Sequence, residues 1–260
     1  MLRKYNRTDT NAIIEYLQDA PELQIIFEAN HNTEDHFHFD GFVSNDKMET
    51  VMLIFGGSIY LKADEDADFE EIAGLINLCN PVDLQTGIIE ADRLKPYLKR
   101  VKNSSNYKLA RYEGTPEVKA PKFEIKPMDI YPECRAVYDL LCSAEMSPGI
   151  PLDRYYVTRK HFINISSSRT YFAVDGENAV STASTMVETQ NGAYLYAVAT
   201  HPDYRNRGLA TEVVSKLIGD LTAEGKTCYI SFRNPAAESV YKKLGFKVVC
   251  DKTITWFERE

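Results

Sequence analysis

The longest regular pattern in the chain lies between residues 209 and 224. Leu209, Val213, Leu217 and Leu221 recur every four residues, and Val214 and Ile218 widen the stripe. That spacing predicts an amphipathic helix with its apolar face turned to a core. Glu212, Lys216, Asp220 and Glu224 fall on another face, and Gly225 is placed to end the helix. Upstream, Arg169 to Asp175, Ala179 to Glu188 and Gly192 to Thr200 read as three strands, the last stopped by Pro202. Downstream, 227–232 reads as a buried strand. Asn234-Pro235 opens a helix that ends at Gly245, and 246–250 is a further strand.

The first half is patterned less sharply. Asp9 or Thr10 could cap a helix through Ile13, Ile14 and Leu17, and 23–27 suggests a short helical piece after Pro21. Residues 51–55 and 58–62 flank Gly56-Gly57 and predict a β-hairpin. Phe69 to Leu78 and Glu90 to Leu98 predict helices, and 108–112 a strand. His36, His38 and Asp40 share a face of an alternating segment. That face could hold a metal or be merely polar, and no fourth ligand at a recognisable spacing favours the metal. The stretch 113–121 is rich in proline and charge and has no period, so it predicts a linker. Two domains are expected, 1–117 and 118–260. In the second, Phe123 starts a strand, and helices over 131–143 and 153–163 precede the strands.

The segment between Pro202 and the long helix carries the chemistry. The first turn of a helix has N–H groups with no intrahelical partner and a positive dipole end. Gly208 and Ala210 let a ligand come close to that backbone, and Arg205 and Arg207 bring forked donors suited to phosphate. These features predict an anion site sized for a pyrophosphate. Strand, Arg205-x-x-Gly208-x-Ala210 and helix, followed by Asn234, Tyr241 and Gly245-Phe246, resemble the GCN5-related N-acetyltransferase (GNAT) family over roughly residues 123–260. Ala210 stands where the commonest family pattern has a second glycine.

The resemblance implies a mixed, mostly antiparallel central sheet flanked by helices, in the α/β (α+β) class. It implies acetyl-CoA as co-substrate, no metal, and direct acetyl transfer to a primary amine in a ternary complex. Val198, Ala199 and Thr200 would contact the pantetheine arm and the acyl carbonyl. Arg205, Asn206, Arg207, Gly208, Leu209, Ala210 and Thr211 would take the pyrophosphate, and Asn234 would touch the cofactor beyond. Tyr241, about two turns past Asn234 on the same helix face, would assist the leaving thiolate. Glu188 is the leading candidate for general base, although 188–192 also reads as a solvated hairpin loop. Glu145 and Tyr194 are weaker alternatives, and His201, which precedes Pro202, reads as a loop residue rather than a base. The order of elements in the first half parallels the second. It lacks the Arg-x-x-Gly segment, which suggests a degenerate acetyltransferase-like domain that does not bind the cofactor.

Composition narrows the partners. The 260 residues carry a formal charge of −8, against non-specific nucleic-acid binding and compatible with a cationic amine. No apolar run is long enough to span a bilayer, and the first residues do not read as a signal peptide, so a cytoplasmic protein without a membrane partner is expected. The five cysteines are scattered and lack zinc spacing. The acceptor is a small-molecule or peptide amine, and the protein a monomer or homodimer. The alternative is a non-catalytic acyl-CoA-binding module, which would keep the pyrophosphate loop without needing Tyr241.

Overall fold

The computed structural model describes residues 1–31, 39–45, 47–115, 120–146, 148–164 and 168–258. His36 and His38, and residues 116–119 of the expected linker, lie outside the described residues. The chain forms two compact units, Met1–Leu109 with Val249–Glu260, and Ala110–Val248.

The first unit begins with β1 (Leu2–Lys4), a 3-10 turn capped by Asn6, α1 (Thr10–Tyr16) and α2 (Pro21–Asn30). Pro21 begins α2, because a first-turn residue has no N–H bond to lose. β2 (Phe39–Ser44), β3 (Thr50–Phe55) and β4 (Ser58–Ala63) form an antiparallel meander. Gly56 and Gly57 both take positive φ, 60° and 87°, as a two-residue hairpin turn requires. α3 (Phe69–Cys79) then crosses to β5 (Asp83–Gly87), which pairs parallel with β4. α4 (Ile88–Leu94) and β6 (Val101–Tyr112) follow. The core of this unit gathers Met52, Ile59, Leu61, Ile72, Ile76 and Leu84.

The second unit has β7 (Glu124–Pro127), α5 (Tyr131–Ser143), α6 (Leu152–Asn164), β8 (Thr170–Asp175), β9 (Asn178–Glu188) and β10 (Gly192–Thr200). A 3-10 turn, Pro202–Tyr204, leads to α7 (Leu209–Ala223), β11 (Thr227–Phe232) and α8 (Pro235–Leu244). The strand order is β11-β10-β9-β8-β7, antiparallel except for the parallel pair β10 and β11. Both units therefore carry an antiparallel meander followed by a helix and a strand parallel to the meander's last.

The apolar stripe of α7 packs as its spacing predicts. Leu209, Val213, Val214, Leu217, Ile218 and Leu221 meet Val180, Ala183, Leu195 and Ile230 from the sheet. α5 and α6 belong to a second cluster with Phe172, Ala179 and Ala199. The final strand, β12 (Phe246–Phe257), is longer than the pattern suggested. Its residues Lys252 to Trp256 pair antiparallel with β5 in the first unit. Among the described residues, no helix is long and apolar enough to cross a membrane.

Candidate active site

The site grows from a parting of strands. β10 and β11 are in register from Gly192↔Thr227 to Leu195↔Ile230. β10 then runs on to Thr200 and β11 to Phe232 with no further pair between them. On its other edge β10 bulges. Tyr196 faces Ser184 and Ala199 faces Thr182, so Ala197 and Val198 stand against Ala183 alone. Ala197 is left-handed at φ 51°, an uncommon conformation for a residue with a Cβ. Bulge and parting coincide, so backbone groups of 197–200 are released from the ladder on the side where β11 diverges.

The loop beyond Thr200 is held by its own side chains. His201 Nδ1 accepts from the Asp203 amide at 3.3 Å, and Arg207 donates to the Asp203 carbonyl at 2.8 Å. Arg207 also lies over the Tyr204 ring, and Arg205 Nε donates to the Thr200 carbonyl at 3.3 Å. Asn206 and Gly208 take positive φ, 62° and 83°. The first backbone bond of α7 runs from the Glu212 amide to the Gly208 carbonyl, and no side chain caps the helix. The amides of Leu209, Ala210 and Thr211 therefore lack intrahelical partners. A Cβ at Gly208 would meet only Lys122 Nζ, at 3.7 Å. Open backbone, free amides and two exposed arginines fit a diphosphate.

Lys122 is a participant that the sequence did not single out. Its ammonium donates to the Arg207 carbonyl and lies 3.8 Å from Glu212. It is 86 residues from Gly208, and no local spacing could have paired the two.

α8 sits beyond β11 as expected. Asn234 accepts from the Ala237 amide at 2.6 Å and caps the helix, so its carboxamide oxygen is already engaged. Tyr241 is buried, its ring 5.3 Å from Phe232 and 5.7 Å from Phe246. Burial pushes its phenol well above its ordinary 10.0.

Glu188 is corrected. Its side chain is 1% exposed, and it pairs with Arg169 and Lys226, each at 2.7 Å. It also accepts from Thr185 Oγ1 at 2.8 Å. It stands opposite Ala193, at the paired end of β10. Ala193 lies two residues before Leu195, the last β10 residue paired with β11, about 7 Å at 3.3 Å per residue. It is the enclosure and the two ion pairs, not distance, that set Glu188 apart from the free turn carboxylate expected of a general base. Of the weaker alternatives, Tyr194 shares a hydrogen bond with Ser231 at 2.7 Å and Glu145 is exposed just past α5. His201 borders a cavity of about 940 Å³ between α5 and the β8–β9 turn, lined also by Arg135, Asp139 and Tyr204.

Cys134 and Cys228 are buried, and burial pushes their thiols up to about 11 and about 12. Neither is a nucleophile near neutral pH. Among the described residues, no group of three or more His, Cys, Asp or Glu gathers as a metal site would require.

Residues 174–256 match the family model for FR47-like proteins. No functionally curated protein matches the sequence. Similar solved structures include a GCN5-related N-acetyltransferase-like protein from Streptococcus suis, at 17% identity and TM-score 0.67, covering 96% of this chain and 98% of that one. A GCN5-related N-acetyltransferase from Sphaerobacter thermophilus aligns at 16% identity and TM-score 0.65, over 98% and 94% of the two chains. A tandem GNAT protein from the clavulanic acid biosynthesis pathway aligns at 12% identity and TM-score 0.60, over 99% and 98%. The chain thus carries an FR47-like, GNAT-type segment near its C-terminus, within a two-domain GCN5-related N-acetyltransferase fold.

Proposed function

We propose that the chain is an acetyl-CoA-dependent N-acetyltransferase acting on a primary amine by direct attack in a ternary complex. One observation carries the reading: β10 and β11 part after Leu195 and Ile230, and the opened edge of β10 leads to the unpartnered amides of α7. A thioester needs such a slot for its arm and such amides for its phosphates.

The amides from Leu209 to Thr211, with Arg205, Asn206, Arg207 and Gly208, hold the pyrophosphate. Val198, Ala199 and Thr200 line the arm, and the bulge aims a released amide at the acyl oxygen as charge develops there. Asn234 borders the far side of the slot. The amine nitrogen bonds to the acyl carbon, the carbon–sulfur bond breaks, and the nitrogen loses a proton to solvent or a nearby base. Tyr241 donates a hydrogen bond to the departing thiolate. Its phenol, raised by burial, lies well above an ordinary thiol near 8.5, so it shares its proton without surrendering it. With Cys134 and Cys228 protonated, a cysteine-bound acyl group has no support from either.

The test is release of free thiol from acetyl-CoA across a panel of amine acceptors. Acceptor-dependent release supports the reading. Tight acetyl-CoA binding without release from any acceptor supports the non-catalytic module instead. Tyr241→Phe separates the two within one protein. The enzyme predicts about a tenfold or greater loss of kcat at unchanged acetyl-CoA affinity, and the module predicts no change.

A further inference from the structure

Five buried side-chain polar atoms have no hydrogen-bond partner among the described residues. Two belong to Glu22, whose charge is met by Lys252. The other three are Tyr155 Oη, Arg159 Nε and Ser168 Oγ, all in the second unit. Arg159 reaches from α6 to the sheet with only 4% of its surface exposed. Its guanidinium donates to Tyr196 Oη at 3.1 Å, Thr170 Oγ1 at 3.0 Å and the Thr185 carbonyl at 3.4 Å, and it lies over the Tyr196 ring. Every one of these partners is neutral. Ser168 precedes Thr170 by two residues, and the Tyr155 phenol feels both Arg159 and Tyr196 electrostatically.

A buried cation normally faces an anion, because desolvating an unpaired charge costs several kcal/mol. Here the cation keeps one donor free, Tyr155 with its free hydroxyl lies one turn earlier on the same face of α6, and Ser168 with its own lies two residues before the bonded Thr170. It also touches Tyr196, the residue immediately before the bulge at which the strands part. We propose that Arg159, with Tyr155 and Ser168, binds a carboxylate of the acceptor, so that the amine substrate is an amino acid or another amine bearing a carboxylate. This rests on the acetyltransferase reading and specifies its acceptor. The one unpaired guanidinium N–H can donate a charge-assisted hydrogen bond to a carboxylate oxygen, and the Tyr155 and Ser168 hydroxyls are further unpaired donors.

The experiment compares ω-amino acids of increasing length with their carboxamides, scored by thiol release from acetyl-CoA. Acetyl-CoA affinity is measured separately by calorimetry. The wild-type protein is expected to favour the carboxylate at one chain length by about 100-fold or more in kcat/KM, as sites built around a buried polar group do. Arg159→Gln should abolish that preference through a raised KM, with acetyl-CoA affinity unchanged. Arg159→Lys should keep part of it. Equal use of acids and amides by the wild-type protein overturns the proposal while leaving the acetyltransferase reading intact. A preference that survives in Arg159→Gln also overturns it. If Arg159→Gln does not fold, Arg159→Lys and Tyr155→Phe replace it, and an undiminished preference in both has the same meaning. If no acceptor turns over, calorimetry with N-acetyl ω-amino acids and their amides decides. A tenfold or greater preference for the acid sustains the site, and equal or absent binding removes it.

Discussion

Glu188 reads in the sequence as a turn carboxylate beside Gly192, free to act as a base. In the fold it is enclosed by Arg169, Lys226 and Thr185, whose partnership spans β8, β9 and the start of β11 and is invisible to local pattern. Glu188→Gln should lower stability by about 2 kcal/mol, because it removes the buried one of the two carboxylates, Glu188 and Glu224, that Arg169 and Lys226 share. The kcat of the folded fraction should stay unchanged, read by urea unfolding beside a rate assay. Glu224 joins the same network and sits at about 2, held down first by its hydrogen bond to Arg169 and also by Lys226. Its folded value lies below the ordinary 4.5, so its contribution is complete above pH 4.5 and fades as pH falls towards 2. Glu224→Gln should flatten the loss of stability across that window, measured as midpoints of unfolding against pH. Tyr241, by contrast, is legible in the sequence as a residue, but its burial is not. A phenol raised by burial stays protonated, so kcat should show no loss from Tyr241 ionisation below pH 10.

At the scale of elements, the long helix and its loop were written in the chain. α7 follows its four-residue stripe, and Asn234, Pro235 and Gly245 punctuate α8 at the positions their chemistry favours. The parting of β10 from β11 was not legible, because it is a matter of register between strands separated by a whole helix. Nor was the bulge, since Ala197 carries no signal of its left-handed backbone. β5 escaped because its alternation is only five residues long, with Leu84 the one apolar side chain among the two buried, Leu84 and Thr86. β12 ran past Cys250 because Lys252, Thr253 and Thr255 are buried polar residues. Gly208 holds the entry to α7 at φ 83°, so Gly208→Ala should cost about 1–2 kcal/mol through backbone strain. It should also weaken coenzyme A binding, and calorimetry on the folded variant separates the two effects.

For the whole molecule, the sequence points to a break near 117. The compact units divide after Leu109 and return the last residues, from Val249, to the first unit. Pairing of Lys252–Trp256 with Asp83–Gly87 spans most of the chain, and no stretch of sequence announces it. Lys252 there forms a buried ion pair with Glu22 of α2. Ending the chain at Val248 should leave Glu22 uncompensated and the β5 edge open. The first unit should then lose its cooperative unfolding transition, which hydrogen exchange would detect. The account as a whole depends on a diphosphate resting against the amides where the chain turns into α7. The most direct measurement is calorimetric titration of coenzyme A into the wild-type protein and the double variant Arg205→Glu/Arg207→Glu. The account predicts at least about a tenfold loss of affinity in the folded variant, from two lost charge-assisted contacts. Unchanged affinity would contradict it.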